Sequence, residues 1–99
     1  MNIRINAVRF DADSKLEEFI EKKVSKLARY FDDIINAEVY LKLENTPDLE
    51  NKITEIKLYI PGGELFAEKK TKSFEESTDI AVDALKQQIL KHKEKLRGI

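Results

Sequence analysis

The sequence predicts an α+β two-layer sandwich with the element order β-α-β-β-β-α. Three observations carry this. Four segments alternate apolar and polar residues with the period of a strand, near 2–8, 37–45, 52–60 and 64–70. Two segments, 14–31 and 73–96, repeat their apolar residues with the period of a helix. Each of these two opens on a Ser-x-x-Glu pattern, in which hydroxyl and carboxylate satisfy the free amides of a first helical turn.

The first strand places Ile3, Ile5 and Ala7 on one side and Asn2, Arg4 and Asn6 on the other. Asp11-Ala-Asp13 interrupts it. Ser14-Lys-Leu-Glu17 reads as the capping box of the first helix, whose apolar stripe is Leu16, Phe19, Ile20, Val24, Leu27 and Phe31. In the second strand Ala37, Val39, Leu41 and Leu43 face the core. Glu38, Tyr40, Lys42 and Glu44 face away. Thr46-Pro47-Asp48 opens a loop. Ile56, Leu58 and Ile60 point inward from the third strand, and Leu65 and Ala67 from the fourth. Pro61-Gly62-Gly63 between these two is a tight turn, because glycine supplies positive φ without a steric cost. Ser73-Phe-Glu-Glu76 caps the second helix and Gly98 ends it; its packed face carries Phe74, Ala81, Leu85, Ile89 and Leu96. Strands with one apolar face need cover on that face only, so both helices are expected there. The first crossover then makes strands 1 and 2 parallel if they are neighbours.

Ninety-nine residues, 37% of them charged, suit one domain over 1–99. No apolar run approaches the length of a membrane span, and the first residues alternate rather than form a signal peptide. There is no cysteine, hence no disulfide and no thiolate metal site. No metal or cofactor is expected, and a cytoplasmic protein without membrane contact is the simplest reading. Catalysis is not expected: the one histidine, His92, sits near a helix end as a packing or phosphate-contact residue, and Gly62-Gly63 is a hairpin turn rather than a phosphate loop.

The charge is sorted. The chain is near neutral, with 18 Lys+Arg against 19 Asp+Glu, yet residues 86–97 hold Lys86, Lys91, Lys93, Lys95 and Arg97 against Glu94 alone. On the first helix Lys15, Lys22, Lys26 and Arg29 fall within an arc of about 220–280° from Leu16, and Glu17, Glu18 and Glu21 near 100–200°. Lys23 lies at the margin of the apolar stripe, where its stem can snorkel outward. On the second helix Lys86, Lys93 and Arg97 share one flank and Lys91 and Lys95 the other. The helix macrodipole draws cations to a C-terminal half and accounts for part of this. It does not account for the basic edge of the first helix. Two neighbouring cationic zones would converge into a phosphate-binding platform suited to structured RNA, which proteins read largely through shape and backbone.

Lys23-x-x-Lys26-Leu27-x-x-Tyr30-Phe31-Asp32, Gly62-Gly63-Glu64 and Lys91-His92-Lys93-x-Lys95-Leu96 resemble the ribosome hibernation promoting factor family, which includes the ribosome-associated inhibitor protein Y. Phe74 ahead of Asp79 is similar to the family's helix start. The resemblance runs the length of the chain. It implies a fold like that of double-stranded RNA-binding domains with an added strand. It also implies binding to rRNA of the small ribosomal subunit, in the channel used by mRNA and tRNA, with translation inhibited in slow growth. Carried over residue by residue, Lys23, Lys26, Lys91, Lys93 and Lys95 are rRNA phosphate contacts, with His92 inside the same segment. Lys22, Arg29, Lys86 and Arg97 join them from the charge geometry alone. Tyr30 and Phe31 are expected to pack beneath the patch. The chain resembles the short form, without the domain through which long forms pair ribosomes, so a further hibernation factor is the expected partner for pairing.

Two rival readings start from the same residues. Tyr40, Tyr59 and Phe66 point to the open sheet face, where aromatics can stack bases of a single strand or simply pair across strands. A general RNA-binding or transcription-regulatory interaction module could use the acidic edge at Glu17, Glu18 and Glu21.

Overall fold

The computed structural model describes residues 1–96. Its elements are β1 (Asn2–Ala7), α1 (Ser14–Ser25) continued by a 3-10 turn (Lys26–Arg29), β2 (Asn36–Leu43), β3 (Lys52–Ile60), β4 (Gly63–Thr71) and α2 (Phe74–Leu96). The four strands form one sheet in the order β1-β2-β3-β4. β1 runs parallel to β2, with Ile3 opposite Ala37 and Ile5 opposite Val39. The other two pairings are antiparallel, with Ile56 opposite Val39 and Ala67 opposite Ile56. The expected α+β sandwich and element order are therefore present.

Alternation decides which face is covered. Ala37, Val39, Leu41, Ile56, Leu58 and Ala67 are buried against Ile20, Val24 and Leu27 of the first helical segment and Ala81, Leu85 and Ile89 of α2. Each large aliphatic side chain withdrawn from water here contributes about 1.5–3 kcal/mol before entropic costs. Between β3 and α2 a small hydroxyl cluster is also buried. Thr54 Oγ1 lies 2.6 Å from Ser77 Oγ and 3.4 Å from Thr78 Oγ1. No buried side-chain polar atom among the described residues lacks a hydrogen-bond partner, so burying these hydroxyls leaves no unmet donor or acceptor. Phe10 stacks on Phe74 with centroids 5.3 Å apart, tying the end of the β1 segment to the start of α2.

Several expectations are corrected. The cap of α1 is Asp13, not Ser14: Asp13 Oδ1 accepts from the Leu16 N–H at 2.8 Å. A carboxylate there also complements the positive end of the helix dipole, which a serine does not. Ser73 does cap α2, accepting from the Glu76 N–H at 3.1 Å, while its own N–H turns to Thr71 Oγ1. The first helix stops being α-helical at Ser25 rather than running to 31. Ser25 Oγ donates to the Lys22 carbonyl at 3.0 Å, and the chain then tightens to a 3-10 turn closed by the Tyr30 N–H on the Leu27 carbonyl. Leu43, although on the core side of β2, is exposed at the strand's end. Leu96 is 65% exposed, because the 23 residues of α2 span about 34 Å and outrun the sheet beneath. The expected helix end at Gly98 lies outside the described residues. Among the described residues no helix is long and apolar enough to cross a membrane.

Candidate nucleic-acid interface

The seam between α1 and α2 gathers cations from both. Lys23, Lys26, Leu27 and Tyr30 line one wall of a groove, and Asp79, Val82, Asp83 and Lys86 line the other. The Lys86 ammonium lies 4.9 Å from the centre of the Tyr30 ring, and that of Lys23 lies 5.5 Å from the Phe19 ring. Both are cation–π distances, which hold a flexible lysine in one direction while leaving its protons free. Lys23 also forms an ion pair with Asp79 at 3.0 Å.

Tyr30 is shared with a second cleft, lined by Arg29, Phe31, Asp32, Asp33 and Lys93. Here the 3-10 turn matters. Three residues per turn instead of 3.6 rotates everything after Ser25 away from the wheel an α-helix would give. Tyr30 and Phe31 thereby face α2, where Phe31 meets His92 edge-on with centroids 5.5 Å apart at 85°. His92 is half-buried and packs against Phe31.

The candidate residues thus separate into groups. Lys23, Lys26 and Lys86 share the groove, and Arg29 and Lys93 share the adjoining cleft. Lys22 is exposed on α1 and lines neither. Lys91 and Lys95 are exposed on the other flank of α2. They follow Gln88 by three and seven residues, and Gln88 Nε2 reaches the Phe66 carbonyl of β4 at 2.8 Å. That flank therefore looks along the outer edge of the sheet. Arg97 lies outside the described residues. Cations from two segments do converge, but Asp79, Asp83, Asp32 and Asp33 stand among them, so the surface is a mosaic rather than an unbroken basic platform. Sequence reasoning missed these acids as part of the site, since contacts between two helices leave no spacing signal along one chain.

The open sheet face has a different character. Several of its charges are paired: Arg4 with Glu38 at 3.8 Å, Lys42 with Glu55 at 2.9 Å, and Lys70 with Glu44 at 2.9 Å. Glu55 and Glu68 stand opposite each other across β3 and β4 and share a hydrogen bond. That bond, with burial and the Glu55 charge, raises the Glu68 pKa. Glu55 is lowered, first by the Glu68 hydrogen bond and then by Lys42. Tyr59 donates to Glu38 at 2.6 Å, and this bond to a carboxylate pushes its pKa up to about 12. Tyr40, Tyr59 and Phe66 face this side, but Tyr40 stands opposite Asn6 and Glu55, Tyr59 opposite Asn36 and Glu64, and Phe66 opposite Lys57, so aromatic pairing is not what places them. With Glu38, Glu55, Glu64 and Glu68 interleaved among its cations, this face offers phosphate little net attraction.

The sequence matches the family described as Sigma 54 modulation protein / S30EA ribosomal protein over residues 3–97. The chain belongs to that family. It is 33% identical over 95 residues to a ribosome hibernation promoting factor of Azotobacter vinelandii, covering 96% of this chain and 85% of the relative. It is 31% identical over 97 residues to the ribosome hibernation promoting factor of Escherichia coli K12, covering 98% of both. Among solved structures, the N-terminal domain of Thermus thermophilus protein Y superposes with a TM-score of 0.78 at 29% identity, covering 90% of this chain and 96% of that one. A ribosomal subunit interface protein from Coxiella burnetii superposes at 0.85 and 22% identity, covering 95% and 99%, a likeness of fold.

Set in this family, the first and third of the segments that carried the resemblance meet in space. Tyr30 and Phe31 of the first lie against Lys86 and His92 of α2, the latter within the Lys-His-Lys segment. Among the described residues no cluster of His, Cys, Asp and Glu could hold a metal ion.

Proposed function

We propose that this chain is a ribosome hibernation factor of the cytoplasm, which binds rRNA of the small subunit in the mRNA and tRNA channel and inhibits translation in slow growth. The reading is supported by the family, by the names of its relatives, and by one observation above all: cations of α1 and α2, far apart in sequence, share a single groove lined also by Tyr30. Ammonium groups on aromatic supports suit phosphates, which need charge and position rather than base-specific contacts. Lys23, Lys26 and Lys86 form the centre of the proposed contact, Arg29 and Lys93 extend it along the 3-10 turn, and Lys91 and Lys95 meet RNA from the other flank of α2. His92 holds Phe31 beneath them, and Lys22 adds peripheral charge; Arg97, outside the described residues, joins the contact on its charge alone.

The test is co-sedimentation of the purified protein with small ribosomal subunits across a salt series. Binding is expected to weaken steeply with salt, because each phosphate contact releases condensed counterions. The triple variant Lys26→Glu, Lys91→Glu, Lys93→Glu is expected to lose binding with its fold intact. Unchanged sedimentation of that variant would overturn the assignment of this surface.

A further inference from the structure

We propose that the outer edge of β1, with the acidic edge of α1 beside it, is a second interface, which takes a lysine- and arginine-rich extended segment of another protein as an added strand. It stands apart from the groove between the helices and opposes it in sign. β1 is an end strand, paired with β2 alone. The Val8 N–H, just past its end, donates to the Leu41 carbonyl of β2 at 2.9 Å. Backbone groups alternate in direction along a strand, so those of Asn2, Arg4 and Asn6 also turn to β2. Those of Ile3, Ile5 and Ala7 point outward, a row of donors and acceptors open to another chain. Among the described residues no side chain covers this row as Gln88 Nε2 covers the Phe66 carbonyl on β4.

The chemistry of the occupant follows from what borders this edge. Ile5 and Ala7 line a cleft whose other wall carries Phe10, Asp11 and Glu17. That contact shows which way α1 turns its acids: Glu21 follows Glu17 by one helical turn and Glu18 adjoins it, all three exposed. The ion pairs among the described residues lie elsewhere. Lys15 is on the opposite arc of α1, and Arg9 lies beyond the end of β1. A strand laid along β1 turns alternate side chains toward these carboxylates, where lysine or arginine meets unpaired negative charge. A nucleic acid is repelled there, and a second copy pairing β1 with β1 sets acid against acid. Main-chain bonds supply the affinity, and the carboxylates select the sequence.

The experiment titrates the protein with an end-blocked peptide of alternating lysine and valine, and follows both affinity and amide hydrogen exchange. Exchange at Ile3, Ile5 and Ala7 is expected to slow about tenfold at saturation. The same peptide methylated at every backbone nitrogen keeps its charge but has no N–H to give, and is expected to bind about tenfold more weakly. Glu17→Gln combined with Glu21→Gln is expected to cost about tenfold at low salt, the difference shrinking as salt rises. Ala7→Pro removes an outward N–H and none from the β1–β2 ladder, so the fold is expected to persist while binding falls about fivefold. No binding of the lysine–valine peptide, equal binding of its glutamate–valine counterpart, or equal binding of the methylated form overturns the inference. So does protection of these amides that appears without peptide and grows with protein concentration, which would mean pairing between copies. None of these variants alters the groove between the helices, so the RNA reading stands or falls separately.

Discussion

The Lys86 ammonium rests 4.9 Å above the Tyr30 ring, joining the last turn of the first helical segment to the middle of α2. The contact sits where the two cation-lined clefts meet, since Tyr30 lines both. Replacing Tyr30 with Leu should keep most of the packing and remove the ring. A cation–π contact at a part-exposed site is worth about 0.5–1 kcal/mol. Affinity for small subunits is therefore expected to fall about threefold, with Tyr30→Phe close to wild type. Binding isotherms of the two variants check this.

The caps of α1 can be told apart by stability. Asp13→Ala removes the acceptor for the Leu16 N–H and is expected to cost about 1 kcal/mol. Ser14→Ala should be nearly neutral, because Ser14 is the first residue of the helix rather than its cap. Urea unfolding of both variants would reverse this assignment if Ser14→Ala proved the costlier.

Leu85→Ala empties part of the fully buried core between α2 and the sheet. The expected loss is about 2–5 kcal/mol, the range for large-to-small changes at such sites. Thr54→Val keeps the shape but removes both hydroxyl contacts: Ser77 Oγ keeps the Phe74 carbonyl, while the buried Thr78 Oγ1 loses its partner at 3.4 Å. About 1–3 kcal/mol is expected there, since a buried hydroxyl is left without its partner. Chemical denaturation of both measures the two effects on one scale.

Glu68 and Glu55 give the sheet face a signed pH dependence. The raised pKa of Glu68 favours its neutral form in the fold, so its contribution is present at low pH and is lost as pH rises through its folded value. Glu55 is lowered, so its contribution is present at higher pH and is lost as pH falls through its folded value. Glu68→Gln keeps a hydrogen-bond donor toward Glu55 and cannot ionise. It is expected to stabilise the protein at pH 7 by no more than about 0.5 kcal/mol, given solvent screening and the size of cross-strand charge effects. The gain should shrink toward pH 4. Melting temperatures at the two pH values check both the sign and the trend.

Much of the fold was legible in the residues because it rests on period and punctuation. β3 runs from Lys52 to Ile60 as its alternation predicts, and the Pro61-Gly62-Gly63 turn sets where β4 begins, with Gly62 at φ +81°. Ser73 announced α2. The α1 boundaries were harder. Asp13 and Ser14 are both good caps, and only geometry shows which side chain reaches the third amide. Ser25 reads as an ordinary exposed helical residue until its hydroxyl is seen on the Lys22 carbonyl. At the site, the cations and the packing role of Tyr30 could be inferred from spacing and resemblance. The Lys23–Asp79 pair could not, because 56 residues separate its members and nothing in either local pattern points to the other.

Gln88 spends its amide on the Phe66 carbonyl at the outer margin of β4. That margin is one of the two flanks of the sheet with no neighbouring strand, and a row of free backbone groups invites another chain to extend it. With one rung already taken by a side chain from the helix above, an incoming strand would have to break an existing bond before it could register. Lys69 and Lys70 on the same strand add a charge barrier to stacking like with like. At this margin, then, an added strand meets both a bond to break and cations to approach.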